Sequence, residues 1–201
     1  MTLKMGIAMV AAFALVASSA SAAGMKKGQM VGTLAGGLQV PTGDFGDVAK
    51  TGFGGAASVD YAVSPAVTLG GTIQYNRNGI SDDLKTALDL LIFPFTADGH
   101  YTVMHYGADM KFFFNPESTT RPYFIAGGGI YSYKATIEAA GLVASDSNSD
   151  AGINGGFGVM FDAGSKTHIG LQGLYHDIFT EGNSTQYFNV QAVFSFDLNT
   201  P

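Results

Sequence analysis

From residue 29 onward the chain falls into eight runs in which apolar side chains alternate with small or polar ones, the period of a β-strand with two unlike faces. The last run is the clearest. Phe188, Val190, Ala192, Phe194 and Phe196 form a wholly apolar face, while Tyr187, Asn189, Gln191 and Ser195 dominate the other, with Val193 the one exception. Upstream, Phe53, Gly55, Ala57, Val59 and Tyr61 oppose Gly54, Ala56, Ser58, Asp60 and Ala62, and Val67, Leu69, Gly71, Ile73 and Tyr75 oppose Thr68, Gly70, Thr72, Gln74 and Asn76. Met104, Tyr106, Ala108, Met110 and Phe112 are set against His105, Gly107, Asp109 and Lys111. Ile153, Phe157, Val159 and Phe161 face away from Asn154 and Asp162, and Ile169, Leu171 and Tyr175 away from His168, Gln172 and His176. Residues 29–40 follow the pattern less cleanly. In 121–135 the run Gly127-Gly128-Gly129 leaves the two faces undecided.

The connections alternate in length. Long polar links, 41–51, 77–100 and 136–150, follow the first, third and fifth runs, and short ones, around Ser64-Pro65, 115–120 and 164–166, follow the second, fourth and sixth. The last link, 181–185, is brief but lies on the long-loop side. Short turns at one end and long loops at the other predict an eight-stranded antiparallel up-and-down transmembrane β-barrel. Eight strands over residues 23–201 leave about 22 residues for each strand and its connection, which suits strands of roughly 10. Sixteen would leave about 11 and no loops, whereas ten stays open if 77–100 hides a hairpin.

Residues 1–22 read as a cleaved signal peptide rather than as part of the fold. Lys4 precedes an apolar run from Met5 to Val16, and Ala20-Ser21-Ala22 is an A-x-A cleavage site. The run is shorter than the roughly 18 residues of a spanning helix. Residues 23–201 are then the barrel domain.

Composition fixes which way the faces point. Only 13% of residues are charged, against a usual quarter, and 28 of 201 are glycine. A water-soluble barrel puts its apolar face inward and covers the other with charge. Here the polar faces hold mostly Gly, Ser, Thr, Asn and Gln, which suits a narrow lumen with the apolar face turned to lipid. A secreted or periplasmic ligand-binding barrel is the alternative. A net charge of −6 argues against a nucleic-acid partner, and the absence of cysteine removes disulfides, thiolate metal sites and cysteine nucleophiles.

Together with the leader and the final aromatic strand, two segments carry a resemblance. They are Gly55 to Pro65, ending Asp60-Tyr61-Ala62-Val63-Ser64-Pro65, and Arg121-Pro122-Tyr123-Phe124-Ile125-Ala126-Gly127-Gly128-Gly129-Ile130-Tyr131. Over residues 25–196 the chain resembles the small eight-stranded outer-membrane β-barrel proteins of Gram-negative bacteria, the "porin family" type. The resemblance implies location in the outer membrane, contact with outer-membrane lipids and lipopolysaccharide, and insertion by the outer-membrane assembly machinery. It departs from the usual pattern in one respect, since Phe196 is followed by five more residues.

Few residues invite chemistry. The lipid A deacylases of this size resemble an H-x-S arrangement, and none of His100, His105, His168 and His176 has Ser two residues on. His100 and His105, five apart on one strand, face opposite ways and cannot share a metal there. His176 reads as a polar residue lining the mouth. We therefore expect no enzyme, no cofactor and no metal, in a monomer with a structural or cell-surface interaction role. Gated passage or binding of small solutes, hydrophobic ones included, is the alternative. Asp60, Asp109, Lys111, Asp162 and His168 fall on lumen faces, where charge must be paired, and Lys111 is expected to meet Asp60 or Asp162. In 77–100, Ser81 is a helix N-cap and Leu84, Leu88 and Leu91 follow helical spacing before Phe93-Pro94-Phe95. This stripe, with Phe93 and Phe95, reads as a lid over the mouth, as a surface in the lipid interface or as an apolar ligand site. Tyr61, Tyr75, Tyr101, Tyr175 and Phe196 are the expected interface anchors.

Overall fold

The computed structural model describes residues 25–139, 141–180 and 184–199. The expected leader, residues 1–22, lies outside them. Eight strands follow one another: β1 (Met30–Thr42), β2 (Gly52–Ser64), β3 (Val67–Gly79), β4 (Ala97–Phe113), β5 (Thr120–Ala139), β6 (Leu142–Asp162), β7 (Thr167–Phe179) and β8 (Ser184–Asp197). Each pairs antiparallel with the next and β1 pairs with β8, so the sheet closes into a barrel. Two short helices lie in the long connections, α1 (Asp44–Val48) between β1 and β2 and α2 (Asp82–Leu91) between β3 and β4. No hairpin hides in 77–100.

Closure alternates the side chains between lumen and exterior as the sequence pattern requires. Leu34, Leu69, Ile73, Ile153, Leu171 and Val190 are 42–54% exposed on the outside. So much exposed apolar surface would aggregate a water-soluble protein, but it matches hydrocarbon. Tyr61, Phe112 and Phe161 stand near the turn end of this band, and Tyr75, Tyr175 and Phe188 toward the loop end. Glycines on the outer wall accept aromatic rings from the next strand, with Phe196 over Gly32 and Phe188 over Gly173. Tyr101 is corrected from an interface anchor to an inward residue, since it packs edge-on against Phe45 of α1 at 5.6 Å.

The residues just beyond the last strand stitch the seam between β1 and β8. Asn199 accepts the Met30 N–H at 2.6 Å through its side-chain oxygen and donates to the Gly28 carbonyl at 3.1 Å, and the Leu198 N–H donates to Met30 O at 2.8 Å.

The connection expected over 136–150 is instead strand. β5 and β6 stay paired in one unbroken register from Thr120↔Phe161 to Ala139↔Leu142, and Gly141 at the tip takes φ 80°. The Ser-Asp-Asn run of the upper hairpin, exposed from 141 to 149, buries neither face, so its extended backbone left no apolar period to read.

α2 forms where the spacing predicts it, with the Ser81 side chain accepting the Leu84 N–H at 3.2 Å. Its return to β4 is held by Asp89, which accepts the Ala97 N–H at 2.6 Å, and by Lys85, which donates to Asp89 at 3.1 Å and to Ala97 O at 2.5 Å. The Ala97 N–H, and then Lys85, keep the Asp89 carboxyl below its usual range. A depressed carboxylate contributes above its unfolded pKa and is lost as pH falls through its folded one, so this clasp is intact at neutral pH and opens only in acid. Asp89→Asn should speed amide exchange at Ala97 at neutral pH, as measured by hydrogen–deuterium exchange, while leaving the β1–β8 ladder protected. Unchanged exchange at Ala97 would show that the clasp holds nothing.

Candidate functional site

The lumen is filled by two layers of side chains. In the half nearest the turns, charged groups pair. Lys111 Nζ lies 2.7 Å from Asp60 Oδ2, both nearly inaccessible to solvent. Of the two acids expected to face Lys111, Asp60 takes it, because Asp162 is engaged by Arg121 and His168. His168 Nδ1 is 2.8 Å from Asp162 Oδ1, and its Nε2 is 3.3 Å from Asp197. A polar chain crosses the barrel beside them: Tyr123 Oη donates to Gln172 at 2.9 Å and Gln172 to Gln191 at 2.8 Å. Asp109 takes neutral partners instead, accepting from Thr72 at 2.5 Å and Asn154 at 2.8 Å.

Tight packing here depends on residues without a Cβ. Tyr123 lies over its cross-strand partner Gly158, where a β-carbon would overlap the phenol ring. A β-carbon at Gly127 would overlap the Asp109 carboxylate in the same way.

The half nearest the loops is aromatic. His105 stacks on Tyr131 at 4.2 Å, His176 stacks on Tyr187 at 4.5 Å, and Tyr131 Oη lies 2.9 Å from His176 Nδ1. Phe45, from the single turn of α1, closes the mouth together with Ala49, Val103, Tyr131, Ile178 and Tyr187. His176 is thus fully buried beneath a plug rather than lining an open mouth. Between the layers is a void of about 20 Å³ bordered by Thr72, Gln74, His105, Asp109, Lys111 and Asn154, room for one water.

The lid expectation is corrected in its contacts. No residue of α2 is buried, Leu84 and Leu88 are half-covered, and Leu91, Phe93 and Phe95 are 81%, 85% and 57% exposed. The mouth is filled from the other long connection, where Phe45 can reach the Tyr101–Tyr131–Tyr187 surface.

On the outside, above Tyr75, an open cleft of about 410 Å³ is lined by Phe53, Arg77, Asp98, His100 and Glu138 among others. The register places Lys134 on the same face, across Thr102 from Arg77.

His168 lies opposite Ser195, but both its ring nitrogens face carboxylates, and Ser195 is fully buried and bonded to Thr33 at 2.9 Å. Such a serine lacks both a free base and access to substrate. Among the described residues no three of His, Asp, Glu and Cys are placed to hold a metal ion.

Sequence reasoning missed Arg121 and Tyr131 as members of the filled lumen, and it set Tyr187 on the polar face without counting it as lumen packing. Arg121 shares its face with Tyr123, Ile125 and Tyr131, a pattern that the three consecutive glycines interrupted. Tyr187 alternates with Asn189 and Gln191, and that signal was readable.

A closed eight-stranded barrel with an apolar exterior, a polar lumen, short turns at one end and, at the other, two helix-bearing connections and a protruding hairpin defines an integral outer-membrane protein. The sequence agrees: residues 8–197 match the profile of the "Outer membrane protein beta-barrel domain", and the chain belongs to that family. Its fold is similar to that of Ail, the attachment invasion locus protein of Yersinia pestis, at 15% identity and TM-score 0.57 over 85% of this chain and 99% of that one. It is also similar to Neisserial surface protein A, at 15% identity and TM-score 0.58 over 86% and 98%. A major outer membrane protein from Thermus thermophilus aligns at 9% identity and TM-score 0.55 over 85% and 99%. No curated protein matches the chain in sequence.

Proposed function

We propose that this protein is a closed, non-enzymatic outer-membrane barrel that works through its outer surface, as a structural element or in cell-surface interaction. The observation that carries this reading is the filled lumen, with ion pairs and amides in one half and stacked rings under Phe45 in the other. The leader is cleaved after Ala22, the assembly machinery inserts the chain, and the barrel stands as a monomer. Arg77, His100 and Lys134 on the outer wall, just above the aromatic residues, suit the phosphates of lipopolysaccharide. Ail has been crystallised with the heparin analogue sucrose octasulfate. A polysulfated ligand suits this chain poorly, because the exposed upper β5–β6 hairpin carries Glu138, Asp146 and Asp150 against the single Lys134.

A second reading, gated passage of small solutes, is favoured by the slightness of the plug: α1 is five residues long and buries only Phe45. Planar-bilayer conductance of folded protein separates the two. The parent should be silent, and Phe45→Ala should stay silent because the His105–Tyr131 and His176–Tyr187 stacks lie beneath. Discrete openings from the parent would overturn the closed-barrel reading, and openings only in Phe45→Ala would establish α1 as a gate.

A further inference from the structure

The cleft above Tyr75 on the outer wall carries both signs of charge, sorted by height. Outward along β4 from Met104, the exterior positions are Thr102, His100 and Asp98. The register pairs Thr102 with Arg77 and Lys134, His100 with Gly79 and Thr136, and Asp98 with Glu138. Arg77 and Lys134 therefore stand on the row nearest the aromatic residues, His100 one row higher, and the two acids one row higher again. Rows on one face of a strand are about 7 Å apart. Arg77, His100, Asp98 and Glu138 all line the cleft, with Phe53 beside Arg77 on β2.

These charges are not used within the protein. Among the described residues none of Arg77, His100, Lys134, Asp98 and Glu138 forms an ion pair. Asp98 accepts the N–H of its own neighbour Gly99 at 2.7 Å. Asp98 and Glu138 are directly opposed across β4 and β5, and like charges so placed cost stability unless a cation lies between them. A bare phosphate suits the cleft only in part, because it meets two carboxylates as well as Arg77 and His100. A divalent cation suits it poorly too, since no third ligand stands in position beside the two acids.

We infer that this cleft binds the phosphoethanolamine group of a lipid in the surrounding leaflet, Arg77 and His100 donating to the phosphate, Asp98 and Glu138 accepting from the ammonium. The inference rests on the phosphate reading of Arg77, His100 and Lys134 above and adds the ammonium. The order of the rows selects the source. A lipid of the barrel's own leaflet carries its phosphate next to the hydrocarbon and its ammonium beyond, as the basic and acidic rows are stacked. A lipid of a facing membrane would arrive reversed. Phe53, exposed beside Arg77, gives the glycerol and first acyl carbons an apolar wall. Phosphatidylethanolamine and lipid A substituted with phosphoethanolamine share this chemistry.

The test uses the full chain in a neutral maltoside detergent, with bound lipid read by native mass spectrometry. Phosphatidylethanolamine is compared with its N-acetyl derivative, which keeps the phosphate and loses the ammonium. Lipid A with and without phosphoethanolamine makes the second pair. In at least one pair the amine-bearing lipid should bind about tenfold more tightly, each exposed carboxylate–ammonium contact contributing roughly two- to fivefold, and that pair identifies the lipid. Asp98→Asn combined with Glu138→Gln should erase the preference, with the folded gel mobility unchanged and the N-acetyl lipid bound at least as well. A preference that survives this double variant would overturn the proposal. So would amine-lipid binding that EDTA abolishes, since the acids would then hold a divalent cation. Arg77→Gln separates the two readings. Equal binding within both pairs that Arg77→Gln weakens would remove this inference alone, whereas binding indifferent to Arg77→Gln would remove the phosphate reading as well.

Discussion

Lys111→Met should cost the barrel about 3–5 kcal/mol, the usual penalty for removing one partner of a buried ion pair. The loss would be read from the midpoint of urea unfolding in lipid vesicles. Among the described residues Lys111 Nζ makes one charged contact, at 2.7 Å to Asp60, and Asp60 retains beyond it only Ser58, donating at 3.2 Å. Removing the ammonium therefore leaves a carboxylate in a nearly dry lumen. Replacing both residues, Lys111→Met with Asp60→Leu, should recover most of the loss, because apolar substitutes for a buried pair are often neutral. The size of the single effect measures how dry the lumen is. A loss below about 1 kcal/mol, the value of an exposed pair, would mean that water screens the site and that the lumen is not filled. Conductance of the same variant is a second readout, expected to stay silent because the aromatic layer lies between this pair and the mouth.

Gly158→Val should disrupt the packing of the wall severely. Overpacking a tight core costs roughly 1–3 kcal/mol when neighbours can adjust. Here they cannot adjust freely, since Gly158 is paired to Tyr123 on one side and Gln172 on the other, and those two side chains are hydrogen-bonded to each other at 2.9 Å. The expected result is loss of the heat-modifiable folded band on refolding. Adding Tyr123→Ala should restore the band by freeing the space, at the cost of the bond to Gln172. A Gly158→Val protein that folds as the parent does would mean that the Tyr123 ring does not lie over this position.

Most of the architecture was legible because two-faced strands between lipid and a packed lumen leave an alternating record. The ladder β7–β8, with Ile169, Leu171 and Tyr175 against Phe188, Val190 and Phe194, is the plainest case. Where an element has no apolar face the record vanishes, and the upper strand of the β5–β6 hairpin, with Ser145, Ser147 and Ser149 on one side and Asp146, Asn148 and Asp150 on the other, read as a loop. The candidate site was legible only as a list of lumen-facing charges. Alternation places Lys111 on the inner face but says nothing of which acid it meets, because that depends on the stagger between strands far apart in sequence. The same limit hid the plug. Phe45 is one aromatic residue in a five-residue helix, whereas the louder apolar stripe of α2 packs against very little.

The stitched seam gives the barrel a cyclic character. Because Asn199 hydrogen-bonds to Gly28 and Met30, β8 and β1 are neighbours of the same kind as any other pair, and the two ends of the described chain meet on one rim. A short linker joining them, with a new opening in the 115–119 turn, would keep all eight ladders. The fold therefore specifies a circular order of strands, and as far as those ladders are concerned the circle has no privileged first member.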